Sequence, residues 1–235
     1  MNEVAVARIW KAADLFTTNV EGVSTNLVLP FLNIRFKKQS ANENNTEFAG
    51  SGIYAILFRE RVVYIGSFCP KAELGGGDIR SIRWSRHLET VSFRGCHVSI
   101  GQGPLQELLS HPKVASHATA IHLASPPEML HRDRGHVTGV NRASFAIANW
   151  DVFGCPEGNV LENLEFYYIR DTNPPATEDP YRSRIKQIED KLIKEFTPPC
   201  NSAMPTALDG NLGHPKSNVL KRMLDRFREA LATYS

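Results

Sequence analysis

Gly52-Ile53-Tyr54-Ala55-Ile56-Leu57-Phe58, Arg59-Glu60-Arg61 and Val62-Val63-Tyr64-Ile65-Gly66 follow one another without a break. Two runs rich in β-branched and aromatic residues flank a short charged turn, which is the pattern of a β-hairpin. Side chains alternate along a strand, so Tyr54 and Tyr64, ten residues apart, can bring both phenols to one end of the hairpin. Either triplet alone is ordinary strand core. Their pairing on adjacent strands is what matters.

A loop with Gly75-Gly76-Gly77 comes next, and Asp78 is placed to cap a helix running to about Thr90. That helix carries Arg83-Trp84-Ser85-Arg86-His87, in which Arg83 and His87 are four apart and share a face. A guanidinium fork beside an imidazole suits a phosphate, and a helix start after glycines can aim its N–H groups at the same anion. Farther on, Leu164-Glu165-Phe166-Tyr167-Tyr168-Ile169-Arg170 reads as a strand. After Asn173-Pro174-Pro175, a helix over about 180–196 is stopped by Pro198-Pro199. Ile188, Leu192 and Ile193 face inward from it, with Glu189 at the edge of that face. One carboxylate so placed can anchor a hard cation such as magnesium.

The remaining segments complete a mixed α+β chain, a small antiparallel sheet with helices packed on it. Val4, Ala7, Ile9, Ala13 and Leu15 have helical spacing and predict an opening helix over 2–17. Residues 38–49 read as a polar loop, while Ala118–Leu123 and Phe145–Val152 read as strands. A basic amphipathic helix near 216–232 closes the sequence.

Composition narrows the class. The 235 residues fit one sizeable domain or two small ones. With 42% apolar and 22% charged residues, wholesale disorder and fibrous architectures are excluded. No stretch approaches the roughly 18 uninterrupted apolar residues of a membrane span, and Glu3 with no basic-then-apolar run argues against a signal peptide. Cys69, Cys96, Cys155 and Cys200 are widely spaced and read as reduced thiols of a cytoplasmic protein. The net charge of +2 conceals patches: Arg80, Arg83, Arg86 and Arg94; Arg132, Arg134 and Arg142; and Lys216, Lys221, Arg222, Arg226 and Arg228. Three such patches point to a polyanionic partner.

Taken in order, Gly52-Ile53-Tyr54, Tyr64-Ile65-Gly66, Arg83 with His87, Glu189 with Leu192-Ile193, and Pro199 before Asn201 resemble the signature of the GIY-YIG nucleases. Tyr64-Ile65-Gly66-Ser67, Arg83–His87 and Gly95-Cys96-His97-Val98-Ser99-Ile100 look like stretches of phage homing members of that family. The likeness covers about 52–100 and 164–201. It implies a β-β-α-β-α core over 49–201, preceded by an N-terminal helical extension (1–48), interrupted by an insertion at about 101–160 and followed by a loop and basic helix (202–235). It also implies a metal-dependent phosphodiesterase. Tyr54 and Tyr64 would orient or deprotonate the attacking water, and Arg83 would stabilise charge on the phosphate. His87, with His97, would bond the nucleophile or phosphate, and Asn201 would brace the site. Glu189 would hold one magnesium or manganese ion per site. Arg86 and Ser67 stand beside these positions, Ser67 where many relatives carry lysine.

The layout resembles restriction enzymes of the family, with recognition elements inserted into a compact core. Arg132, Arg134, Asn141 and Arg142 are of the types that read base edges, whereas Lys221 and Arg222 suit phosphates. The leading expectation is a sequence-specific type II restriction-like endonuclease acting on double-stranded DNA as a homodimer, with a cognate methyltransferase as cellular partner. A nicking or structure-specific nuclease of repair or a mobile element is the alternative. A binding module with a degenerate site is disfavoured, because every signature position is filled.

Overall fold

The computed structural model describes residues 5–20, 34–39, 46–70, 77–92, 100–101, 110, 112, 130–131, 137–153, 160–172, 178–201, 207 and 210–232. In chain order the elements are β1 (Ala5–Lys11), α1 (Ala12–Leu15), β2 (Phe16–Val20), β3 (Ile34–Lys38), β4 (Gly52–Phe58) and β5 (Arg61–Phe68). A π-helical turn (Arg80–Trp84) then runs into α2 (Ser85–Val91), followed by β6 (Ile100–Gly101), β7 (Leu130–His131), α3 (Val137–Ala148), α4 (Trp150–Phe153) and α5 (Val160–Asn163). The chain ends with β8 (Leu164–Asp171), α6 (Glu178–Phe196), β9 (His214–Pro215) and α7 (Lys216–Ala232).

The hairpin forms as its sequence predicts. Arg59 and Glu60 have φ of 46° and 64°, the doubly left-handed turn whose twist matches that of paired strands. Ile56 faces Tyr64 and Leu57 faces Val62, which leaves Val63 as a bulge. The hairpin lies inside a five-stranded antiparallel sheet of order β1-β8-β4-β5-β9. β4 is buried at every position because both faces of the sheet are covered. One face, with Ile53, Ala55, Leu57, Ile65 and Ile169, lies under Ile185 and Leu192 of α6 and Met223 and Phe227 of α7. The other, with Tyr54, Ile56, Phe166 and Tyr168, packs against Phe16, Phe48, Trp84, Phe145 and Phe153. Trp84 stacks on Phe166 with ring centroids 4.4 Å apart. Asp78 caps the turn as expected, its Oδ1 accepting from the Arg80 N–H at 2.8 Å.

Two predicted elements are overturned. Residues 5–11 are a strand, not part of an opening helix, and they pair with β8 along its whole length. The exposed edge of β8 offers unpaired backbone groups, and satisfying them outweighs the weak helical spacing. Of the segment 1–48, residues 5–11 thus belong to the five-stranded sheet, while β2 and β3 pair with each other in a separate two-stranded sheet. Phe145–Val152 is helical, not a strand. Ala143, Phe145, Ala146 and Ile147 are all buried, so the apparent alternation belongs to a helix enclosed on several sides. The strand expected at 118–123 lies outside the described residues.

β9 covers β5 only at Arg61 and Val62. Beyond that point the edge is finished by the residues after α6: the Cys200 N–H donates to the Val63 carbonyl at 2.9 Å. The Asn201 carboxamide accepts from the Ile65 N–H at 3.0 Å and donates to its carbonyl at 2.8 Å. A side chain thereby replaces a neighbouring strand's peptide. The described helices include none long and apolar enough to cross a membrane.

Candidate active site

The register that pairs Tyr54 with Gly66 explains the glycine of the second triplet. A methyl group at Gly66 would lie 2.5 Å from Tyr54 Cζ, so the phenol lies across a strand stripped of its side chain. At Gly52 a methyl would lie 2.0 Å from the Ile169 carbonyl oxygen, which keeps that position bare for close approach to β8. Each glycine is dictated by a contact.

Tyr54, 1% exposed, shares a 2.6 Å hydrogen bond between its hydroxyl and His87 Nε2. Tyr64 lies beside both, its ring centroid 6.0 Å from that of Tyr54 and 4.7 Å from that of His87. It is half-buried where Tyr54 is closed off. Tyr64 is therefore the phenol nearest the solvent, with Tyr54 and His87 behind it. Burial, reinforced by Tyr64, pushes the Tyr54 phenol well above its ordinary 10, while Arg142 and Arg83 pull it back. Burial and then the same two arginines hold the His87 imidazole well below its ordinary 6.5. At neutral pH the pair is a neutral phenol bonded to a neutral imidazole whose buried Nδ1 has no partner among the described residues.

Glu189, 6% exposed, reaches the same strand edge from α6 on the other face. Its Oε2 accepts from Ser67 Oγ at 2.5 Å and from Lys186 Nζ at 2.6 Å, and its charge is felt at Tyr54. Oε1 has no bonding partner among the described residues. That free oxygen fits a hard divalent cation, which binds through one carboxylate and keeps its remaining positions for water and substrate oxygens. No group of three or more His, Cys, Asp or Glu side chains is assembled there among the described residues, so any such ion would rest on Glu189 alone.

The structure brings together Tyr54, Tyr64, His87, Glu189, Ser67 and Asn201, with Arg83 exposed at the margin yet close enough for its charge to act on Tyr54 and His87. Arg86 is exposed on α2. His97, Arg132 and Arg134 lie outside the described residues. Two expectations need correction. Asn141 is 4% exposed and its Nδ2 donates to the Asn201 carbonyl at 2.5 Å; it braces the residue that closes the β5 edge and has no face left for a base. Arg142 also turns inward, its guanidinium 4.8 Å from the Tyr64 ring centroid and donating to Thr90 Oγ1 at 2.7 Å. Lys221 and Arg222 sit on α7, which covers the opposite face from the tyrosines, and Arg222 donates to Glu195 at 3.0 Å.

Sequence reasoning missed Lys186 as a member of the site and assigned Arg142 to base reading rather than to a place beside Tyr64. Lys186, three residues before Glu189 on one helix, had a readable spacing. Arg142 had none, because it meets Tyr64 from 78 positions away on a separate helix, Val137–Ala148. Comparison with known proteins finds no family model, no curated protein and no solved structure that matches this chain.

Proposed function

We propose that this chain is a metal-dependent phosphodiesterase of the GIY-YIG kind that hydrolyses DNA, most simply a sequence-specific restriction-like endonuclease. The observation that supports it above others is the Tyr54 hydroxyl bonded to His87 Nε2 at 2.6 Å beside Tyr64, at a strand edge that Glu189 reaches from the opposite face. Two phenols, a neutral imidazole, a carboxylate and flanking arginines form a set suited to activating water against a phosphate.

Within this reading, an attacking water sits at the Tyr64 end of the cluster. Its proton passes to the Tyr54 oxygen as the Tyr54 proton passes to neutral Nε2, which leaves imidazolium and hydroxide. Hydroxide attacks phosphorus, the bond to one bridging oxygen breaks, and that oxygen takes a proton from solvent. Arg83 faces the growing charge on the non-bridging oxygens. A magnesium or manganese ion, held by Glu189 Oε1, would supply Lewis-acid polarisation of the phosphate. Ser67 and Lys186 fix the carboxylate, and Asn201 fixes the strand that carries Tyr64.

Incubating unmethylated phage DNA with the protein and magnesium, beside Glu189→Ala, tests the reading. Discrete fragments lost in the variant would support a sequence-specific enzyme. Nicked circles or a smear, also lost in the variant, would keep the chemistry but favour a nicking or structure-specific role. Retained DNA binding with no cleavage in magnesium or manganese would refute it.

A further inference from the structure

Arg142 uses only part of its guanidinium. Such a group has five N–H donors in a rigid fork. One nitrogen donates to Thr90 Oγ1 at 2.7 Å, and the guanidinium carbon lies 4.8 Å from the Tyr64 ring centroid. Nε is buried with no hydrogen-bond partner among the described residues. A buried donor of a charged group left unmade is costly, so a residue serving only to brace α3 would be expected to spend it. Among the described residues no carboxylate forms an ion pair with it, and Glu189 accepts from Ser67 and Lys186. Arg83 adds a second positive charge acting on the same Tyr54–His87 pair. Two guanidiniums bordering two phenols, with one buried donor open, fit the oxygens of a phosphate.

We infer that Arg142, carried into the site by the inserted helix Val137–Ala148, is a second phosphate-binding residue that acts with Arg83. The insertion thus supplies part of the reaction site itself, and base reading by this residue is replaced by contact with the reacting phosphate. The inference deepens the phosphodiesterase reading above, but its test stands apart from cleavage.

The probe is thymidylyl-thymidine, which carries a single phosphodiester, against its uncharged methylphosphonate analogue. Binding is followed by the ring NMR signals of His87. Wild type is expected to bind the diester with a His87 shift and the neutral analogue at least tenfold more weakly. Arg142→Gln is expected to weaken diester binding at least tenfold with an unchanged fold by circular dichroism. If Arg142→Gln does not fold, Arg142→Lys keeps the charge without the Nε donor and is expected to bind at least fivefold more weakly. Undiminished binding in a folded Arg142 variant, or equal binding of charged and neutral dinucleotides by wild type, overturns the inference. Arg142-dependent binding together with an absence of DNA cleavage would uphold it while refuting the nuclease reading.

Discussion

Adding one methyl group at Gly66 probes the tightest contact in the site. A Cβ there would lie 2.5 Å from Tyr54 Cζ and 2.6 Å from its hydroxyl oxygen, whereas carbon neighbours rest at about 3.5–4.0 Å. The ring must therefore move by about 1 Å. It is hemmed in by Tyr64, Trp84 and His87, so this overpacking costs about 1–3 kcal/mol. The same movement takes the hydroxyl off His87 Nε2, and a buried hydrogen bond left unmade costs about 1–3 kcal/mol more. A total near 4 kcal/mol lowers Tm by about 8–16 °C in a domain of this size. Melting curves of Gly66→Ala, Tyr54→Leu and the double variant measure it. Leucine has no atoms where the tyrosine ring tip collides, so Gly66→Ala on that background is expected to cost less than about 1 kcal/mol. An equal cost on both backgrounds would refute the contact as the reason for the glycine. Gly52→Ala should be worse and beyond such rescue, because its clash is with the Ile169 backbone oxygen.

His87 makes stability depend on pH. Its folded pKa lies below the ordinary 6.5, so the unfolded chain takes the proton more readily. The contribution is complete above about pH 6.5 and declines as pH falls toward the folded pKa, by up to about 1.4 kcal/mol per pH unit. Melts between pH 7 and 5 should show a steeper decline for wild type than for His87→Gln; parallel curves would contradict the burial of a neutral imidazole. Tyr54→Phe leaves Nε2 buried without its partner and should cost about 1–3 kcal/mol, with DNA cleavage falling by about 10²–10⁴-fold if the proton passes this way. Asn201→Leu removes both bonds to the Ile65 backbone and should cost about 1–3 kcal/mol. Faster hydrogen exchange at the Ile65 amide would locate that loss, and unchanged exchange would show that the edge is held by other means.

Local pattern was enough for the hairpin, the helix carrying Arg83 and His87, the β8 strand and the two C-terminal helices. Each has a dense signal within a short window, from β-branched runs, a capping aspartate or an apolar stripe. The pattern failed for residues 5–11 and 145–152, where short apolar runs are ambiguous and the choice rests on what lies next to them. The edge of β8 claimed the first as a strand, and a packed interior accommodated the second as a helix. The candidate site divides in the same way. Tyr54, Tyr64, Arg83, His87, Glu189 and Asn201 were candidates from sequence through their ordered resemblance to the GIY-YIG signature, since each by itself reads as ordinary core or surface. The Tyr54–His87 bond spans 33 positions, Ser67 to Glu189 spans 122 and Asn201 to Ile65 spans 136. Such contacts have no local signature. Only the folded sheet could show that Gly66 is bare to admit a phenol, that Asn141 is buried as a brace, and that Arg142 turns inward onto Tyr64. Sequence determines which groups a segment carries; which of them meet, and which are shut away from solvent, is decided by how the segments pack.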